Sequence, residues 1–306
     1  MRDNTIVVSG NAMRQRLSVL LLLTVMICHA QQAQTERPRL EYNGKPIKVT
    51  GQCKAEDVLT LGLSCSSEDP CPLFLELSDI ELVGTRLFVS GNLHTNSATF
   101  ESILLTSDDL GKTWTEPTAR VAASGLEDIQ FIDFESGWIA GQTLLGLPRD
   151  PFLLITSDGG KTWRKRPIYG EPRVGAIERF RFDSRTTGSL VLDKIQSGET
   201  GMRHELYETQ TGGESWMLRQ VGSKPIPLRE AKPLTSEWRV RADGPTKSYK
   251  IERRSGNAWQ TAASFLVAAG ECKPAEPDVS SPAPPPEDAE QPAPKPQAPP
   301  TLKKKP

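Results

Sequence analysis

The chain has 306 residues, 37% of them hydrophobic and 25% charged, with a formal net charge of −1. That length accommodates one large domain or two small ones. The near-neutral balance excludes a global pull toward nucleic acid or an anionic membrane, so any charged partner site must be local.

Residues 1–30 read as an export signal. Arg14 and Arg16 precede an apolar run from Leu17 to Ile27, and Cys28-His29-Ala30 offers small residues at the cleavage positions. The run is too short to span a bilayer as a helix. Cleavage after Ala30 is expected, with a periplasmic or extracellular protein and no stable membrane span afterwards. Export implies an oxidising compartment. Cleavage leaves Cys53, Cys65, Cys71 and Cys272, which allow three pairings. Cys65 and Cys71 bracket the turn-forming SSEDP and are the first expected pair. Cys53 and Cys272 would then link the two ends of the folded body. No C-x-x-C spacing occurs, and only His94 and His204 follow the signal, so neither a metal nor another cofactor is expected.

Residues 31–72 hold two runs, PIKVTGQ from Pro46 and VLTLGL from Val58, that read as strands able to add to a sheet or close a ring. Beyond them the chain repeats. ILLTSDDLGKTW ends at Trp114 and LLITSDGGKTW at Trp163, 49 residues on; ETQTGGESW ends at Trp216, 53 further, and the fainter ERRSGNAW at Trp259, 43 further. Short runs of β-branched and aromatic residues recur upstream of each copy: LFVSGN before the first, IQFIDF and GWIAGQ before the second, FRFDS and GSLVLD before the third, EWRVRAD and SYKIERR before the fourth. No long amphipathic helix is evident between Arg39 and Cys272. About four strands in each unit of roughly 50 residues predict an all-β fold, a β-propeller of about four or more four-stranded antiparallel blades spanning 73–272. Individual blades are expected near 73–118, 121–168, 173–220 and 224–268. Residues 273–306 contain 12 prolines and are expected to be an extended, disordered tail, since such a composition cannot bury a core.

The repeated pattern S/T-x-D-x-G-x-T-W resembles the Asp-box, or BNR repeat, of sialidases, sortilin-type receptors and the photosystem II assembly/stability factor family. Ser107, Asp109, Gly111, Thr113 and Trp114 match it in full, as do Thr156, Asp158, Gly160, Thr162 and Trp163. The third copy keeps Thr209, Gly213, Ser215 and Trp216 but has Thr211 in place of Asp, and the fourth keeps only Gly256 and Trp259. Asp109 and Asp158 are suited to accept backbone N–H groups across a tight turn, the glycines supply positive φ, and the tryptophans bury a large ring. The box therefore reads as fold-making, and no catalytic residue is assigned to it. GKT after Gly111 and Gly160 does not complete a phosphate loop: Thr106 and Ile155 occupy the position that needs glycine, so no nucleotide is expected.

Paired GWIAG and TSDGGKTW are most similar to blades of the photosystem II assembly/stability factor-like family. The resemblance implies an exported, non-enzymatic propeller that helps assemble or stabilise another protein, with a protein partner in the envelope or outside the cell and no nucleic acid. Two other classes remain open. A sialidase-like glycosidase needs a Tyr supported by Glu; Tyr169, close to Glu171, is its loop candidate. A carbohydrate-binding module is the other. For a protein partner, ERFRF and EWRVR set Arg179 and Arg181, and Arg239 and Arg241, on one face of their strands. Arg179 and Arg181 are expected on an innermost strand and Arg239 and Arg241 one strand later. Together they form a basic strip aimed at an acidic partner surface.

Overall fold

The structure is a computed structural model that describes residues 38–51, 53, 55–194, 201–229 and 233–273. The expected export signal and, apart from Lys273, the proline-rich tail lie outside the described residues.

The recurring strand runs form four antiparallel sheets. The first contains β2 (Cys71–Val83), β3 (Arg86–His94) and β4 (Thr99–Ser107), with β17 (Ala268–Cys272) on the free edge of β2. The second runs β6 (Ser124–Phe131), β7 (Gly137–Leu145), β8 (Leu147–Thr156) and β9 (Arg164–Pro167). The third runs β10 (Ala176–Phe182), β11 (Gly188–Asp193), β12 (His204–Thr209) and β13 (Met217–Gly222). The fourth holds β14 (Trp238–Asp243), β15 (Ser248–Ser255) and β16 (Ala258–Leu266). A short pair, β1 (Leu40–Glu41) with β5 (Thr113–Trp114), lies beside the first sheet. The leading strands β2, β6, β10 and β14 all line one central cleft. Sheets arranged in this way are the blades of a β-propeller.

The strands obey pleat geometry. In β2, Leu73, Leu75 and Leu77 are buried while Pro72, Glu76 and Ser78 face out. Central strands such as β3 are buried on both faces over Leu87–Leu93, because each blade is sandwiched between neighbours. Three apolar clusters follow. One joins the first and fourth blades through Trp114, Phe265 and Trp238. A second joins the first and second through Phe88, Phe131 and Phe152. A third joins the second and third through Trp138, Phe180 and Phe182, with the Trp138 and Phe182 rings stacked 3.8 Å apart. Among the described residues no such cluster joins the third and fourth blades.

Two expectations are corrected. VLTLGL is not a strand: α1 (Ala55–Leu61) covers most of it. Glu56 and Asp57 in the first turn favour the positive end of the helix dipole. Gly62, at φ 62, ends the helix with Gly62 N donating to Leu59 O and Leu63 N to Val58 O. The fourth blade has three strands rather than four. After β16 the chain does not reverse but continues into β17, with Leu75 N donating to Val267 O at 2.7 Å, so the strand that would complete the blade instead closes the ring onto the first. PIKVTGQ contributes one parallel bridge, Ile47 to Phe265, on the outside of the fourth blade.

The structure joins Cys53 to Cys272, whose Cα atoms are 4.9 Å apart, and Cys65 to Cys71, at 5.2 Å. Both separations suit a disulfide. The first bridge locks the closing strand to the N-terminal segment.

Candidate functional site

The repeated turns were the most conspicuous sequence feature, and their chemistry is internal. Asp109 Oδ1 accepts the amides of Lys112 and Thr113 at 3.0 and 2.8 Å, and Oδ2 accepts the Thr113 hydroxyl at 2.8 Å. Ser107 Oγ donates to Asp109 and accepts from Gly111 N. Asp158, Thr156 and Thr162 reproduce the same set. These bonds hold both carboxyls below the usual range despite the opposing effect of burial. In the third turn Thr211 Oγ1 does part of that work, accepting Ser215 N at 2.9 Å.

The tryptophans of the two complete turns wedge between blades. Trp114 meets Phe265 of the fourth blade edge-on. Trp163 meets Phe88 of the first. Its glycine neighbour is fixed by the same seam: Gly160 has φ +77, and a Cβ there would sit 2.2 Å from the Phe88 ring. Trp216 packs on Phe182 in the third blade, and Gly212 of that turn accepts Trp138 Nε1 from the second. The fourth copy lacks the box residues, and its Trp259 lines the central cleft instead.

That cleft is the principal candidate site, a cavity of ≈ 680 Å³. Blade by blade it is lined by Ser78, Asp79, Ile80 and Glu81; by Asp128 and Ile129; by Glu178, Arg179 and Phe180; and by Trp238, Arg239 and Val240. Asp79 accepts the amides of Ile80 and Ile129, each at 2.8 Å. Glu81, only 2% exposed, accepts the Leu234 amide at 2.7 Å. Burial is the main cause that pushes Asp79 up to about 6 and Glu81 up to about 8, outweighing these amides. Among the described residues neither carboxyl has an ion pair. Glu178 contacts His204 Nδ1 at 2.9 Å.

The four expected arginines divide. Both pairs lie on innermost strands, β10 and β14, so placing Arg239 and Arg241 one strand later is corrected: among the described residues no strand of that blade precedes β14. Arg179 and Arg239 line the cleft. Arg239 stacks 4.1 Å from the Trp259 ring centre and pairs with Glu252 at 2.8 Å. Arg241 pairs with Glu252 and Asp243, at 3.0 and 3.2 Å, and Arg181 with Asp183 at 2.6 Å. Hydrogen bonds from Arg241 first, then Arg239, hold Glu252 below the usual carboxylate range.

Tyr169 bonds Glu205 at 3.1 Å rather than Glu171, and Tyr207 shares the same oxygen at 2.8 Å. Burial pushes the Tyr207 phenol up to about 12 and Tyr169 higher still. A nucleophilic tyrosine needs the opposite shift. Sequence reasoning missed Asp79, Glu81, Asp128 and Trp238. For Asp79, Asp128 and Trp238 the signal was a recurring triplet in the leading strands, SDI, EDI, ERF and WRV, with a charged residue at its centre; Glu81 lies one residue beyond the first. Among the described residues no group of three or more His, Cys, Asp or Glu is placed to hold a metal, and no helix is long and apolar enough to cross a membrane.

No protein-family model matches the chain, and no curated protein matches it. Among solved structures it is similar to YCF48 bound to a D1 peptide, at 16% identity and a TM-score of 0.34, covering 63% of this chain and 56% of that one. It is also similar to YCF48 from Cyanidioschyzon merolae, at 16% identity and a TM-score of 0.32, covering 63% and 57%. The chain thus spans little more than half the length of these structures.

Proposed function

We propose that the chain is an exported, non-enzymatic propeller that binds a protein partner at its axial cleft and serves that partner's assembly or stability. The observation that carries this reading is the convergence of four leading strands on one open cleft mixing carboxylates, arginines and the Trp238 and Trp259 rings. Aromatic and arginine side chains are the residue types that dominate protein-binding hot spots. Export rests on the order of charge, apolar run and small residues over 13–30, and the assembly role on the resemblance of GWIAG and TSDGGKTW to the assembly/stability factor-like blades.

Arg179 and Arg239 are the basic contacts at the cleft; Arg181 and Arg241 extend the strip along the same strands, buttressed by Asp183, Glu252 and Asp243. Arginine's planar fork suits bidentate contact with a carboxylate of the partner. The test is affinity capture from an envelope fraction with the native chain and with Arg179→Glu/Arg239→Glu, both verified as folded by circular dichroism. Capture of a discrete partner by the native chain and its loss in the variant is expected. Equal capture by both would overturn the assignment of the cleft.

A further inference from the structure

The repeat orders charge around the axis. Equivalent triplets of the four leading strands meet at the cleft, Ser78-Asp79-Ile80, Glu127-Asp128-Ile129, Glu178-Arg179-Phe180 and Trp238-Arg239-Val240, and every one of these residues except Glu127 lines it. Their middle residues read Asp, Asp, Arg, Arg in blade order. In the first three strands the ladder is interrupted at this same level, between Leu77 and Asp79, Leu126 and Ile129, and Ile177 and Arg179. A β-bulge re-aims side chains and is a recurrent device beside binding sites. Glu81 adds a third carboxyl to the acidic half. The basic half is stiffened by Trp259 and Glu252 around Arg239.

We propose that this charge-ordered cleft holds an extended segment of a partner protein that carries one basic and one acidic side chain, the basic one against Asp79, Glu81 and Asp128 and the acidic one against Arg179 and Arg239. The proposal deepens the protein-binding reading and rests on it. Trp238 is 7% exposed and lines the cleft, yet its Nε1 has no acceptor among the described residues. Thr235 Oγ1, also in the lining, has no partner there either. Orphaned buried donors are costly. A basic side chain in the cleft favours the ionised form of both buried carboxyls, holding Asp79 charged and drawing the proton off Glu81 as it binds. The cavity of ≈ 680 Å³ is within the size range of ligand pockets.

The test uses the full chain and four N-acetylated, C-amidated glycine hexapeptides carrying Lys and Glu, Lys alone, Glu alone, or neither, titrated by calorimetry. The mixed-charge probe is expected to bind about tenfold more tightly than either single-charge probe, a preference that shrinks as salt rises. Asp79→Asn with Glu81→Gln should erase the advantage of Lys and spare that of Glu. Arg179→Gln with Arg239→Gln should do the reverse. Equal affinity for all four probes, no binding of the mixed probe, or a Lys preference that survives in folded Asp79→Asn/Glu81→Gln protein would overturn the charge ordering. If partner capture still depended on Arg179 and Arg239 in that case, the protein-binding reading would stand without it.

Discussion

Glu81→Gln tests whether the cleft carries its acids at a cost. Glu81 is buried in β2 with the Leu234 amide on Oε1. Burial first, with the charge of Asp79 adding to it, raises its pKa from 4.5 to about 8, while the Leu234 and Thr235 amides pull the other way. A raised carboxyl favours the protonated form in the fold. The fold therefore bears no cost below pH 4.5, an increasing cost as pH climbs, and a constant one above about pH 8. At 1.36 kcal/mol per pH unit, the cost is close to zero at pH 4, about 3 kcal/mol at pH 7 and about 5 kcal/mol at pH 9. Glutamine keeps an oxygen for the Leu234 amide and cannot ionise. Glu81→Gln should thus unfold like the native chain at pH 4 and grow steadily more stable than it toward pH 9, read as urea midpoints at fixed pH. Asp79→Asn should show a smaller rise with pH relative to the native chain, about 3 kcal/mol in all and complete by about pH 7, because Asp79 is raised from 3.8 only to about 6, on top of a pH-independent loss from the one of its two amides that asparagine cannot accept. Parallel pH profiles for Glu81→Gln and the native chain would refute the argument.

Asp109→Ala and Asp158→Ala should each lower unfolding free energy by about 1–3 kcal/mol while leaving partner capture intact; an unchanged denaturation curve with lost capture would contradict the structural role. Thr211→Asp in the third turn restores the second acceptor oxygen and should add about 0.5–1.5 kcal/mol, measured by the same denaturation. Cys53→Ala/Cys272→Ala should destabilise more than Cys65→Ala/Cys71→Ala, since loop entropy values the bridges at about 5 and about 2 kcal/mol for separations of 219 and 6 residues. Peptide mapping of the native chain should recover both cystines.

The blades were legible because the turn tryptophans recur at nearly constant spacing, and the turn chemistry because Asp109 and Asp158 act only on neighbours four residues away or fewer. Helix α1 was not, because its apolar run is short and periodicity alone does not separate a seven-residue helix from a strand; Gly62 was the missed stop signal. The three-stranded fourth blade was hidden because β17 pairs with β2 nearly two hundred residues earlier in the chain, and no local pattern encodes that choice. Arg179 and Arg239 were picked out by their alternation with aromatic or aliphatic neighbours. Asp79 and Glu81 were passed over because acids in a strand ordinarily face water, and only the bulge and the meeting of four strands bury them.

The central claim, that the axial cleft is where a protein partner binds, is tested most directly by placing a photoreactive amino acid at Ser236 in the cleft lining, and separately at Leu59, 82% exposed on α1, in the producing cell. A discrete adduct from position 236 that disappears with Arg179→Glu/Arg239→Glu, and none from position 59, is the predicted result. An adduct from position 59 with none from 236 would contradict it.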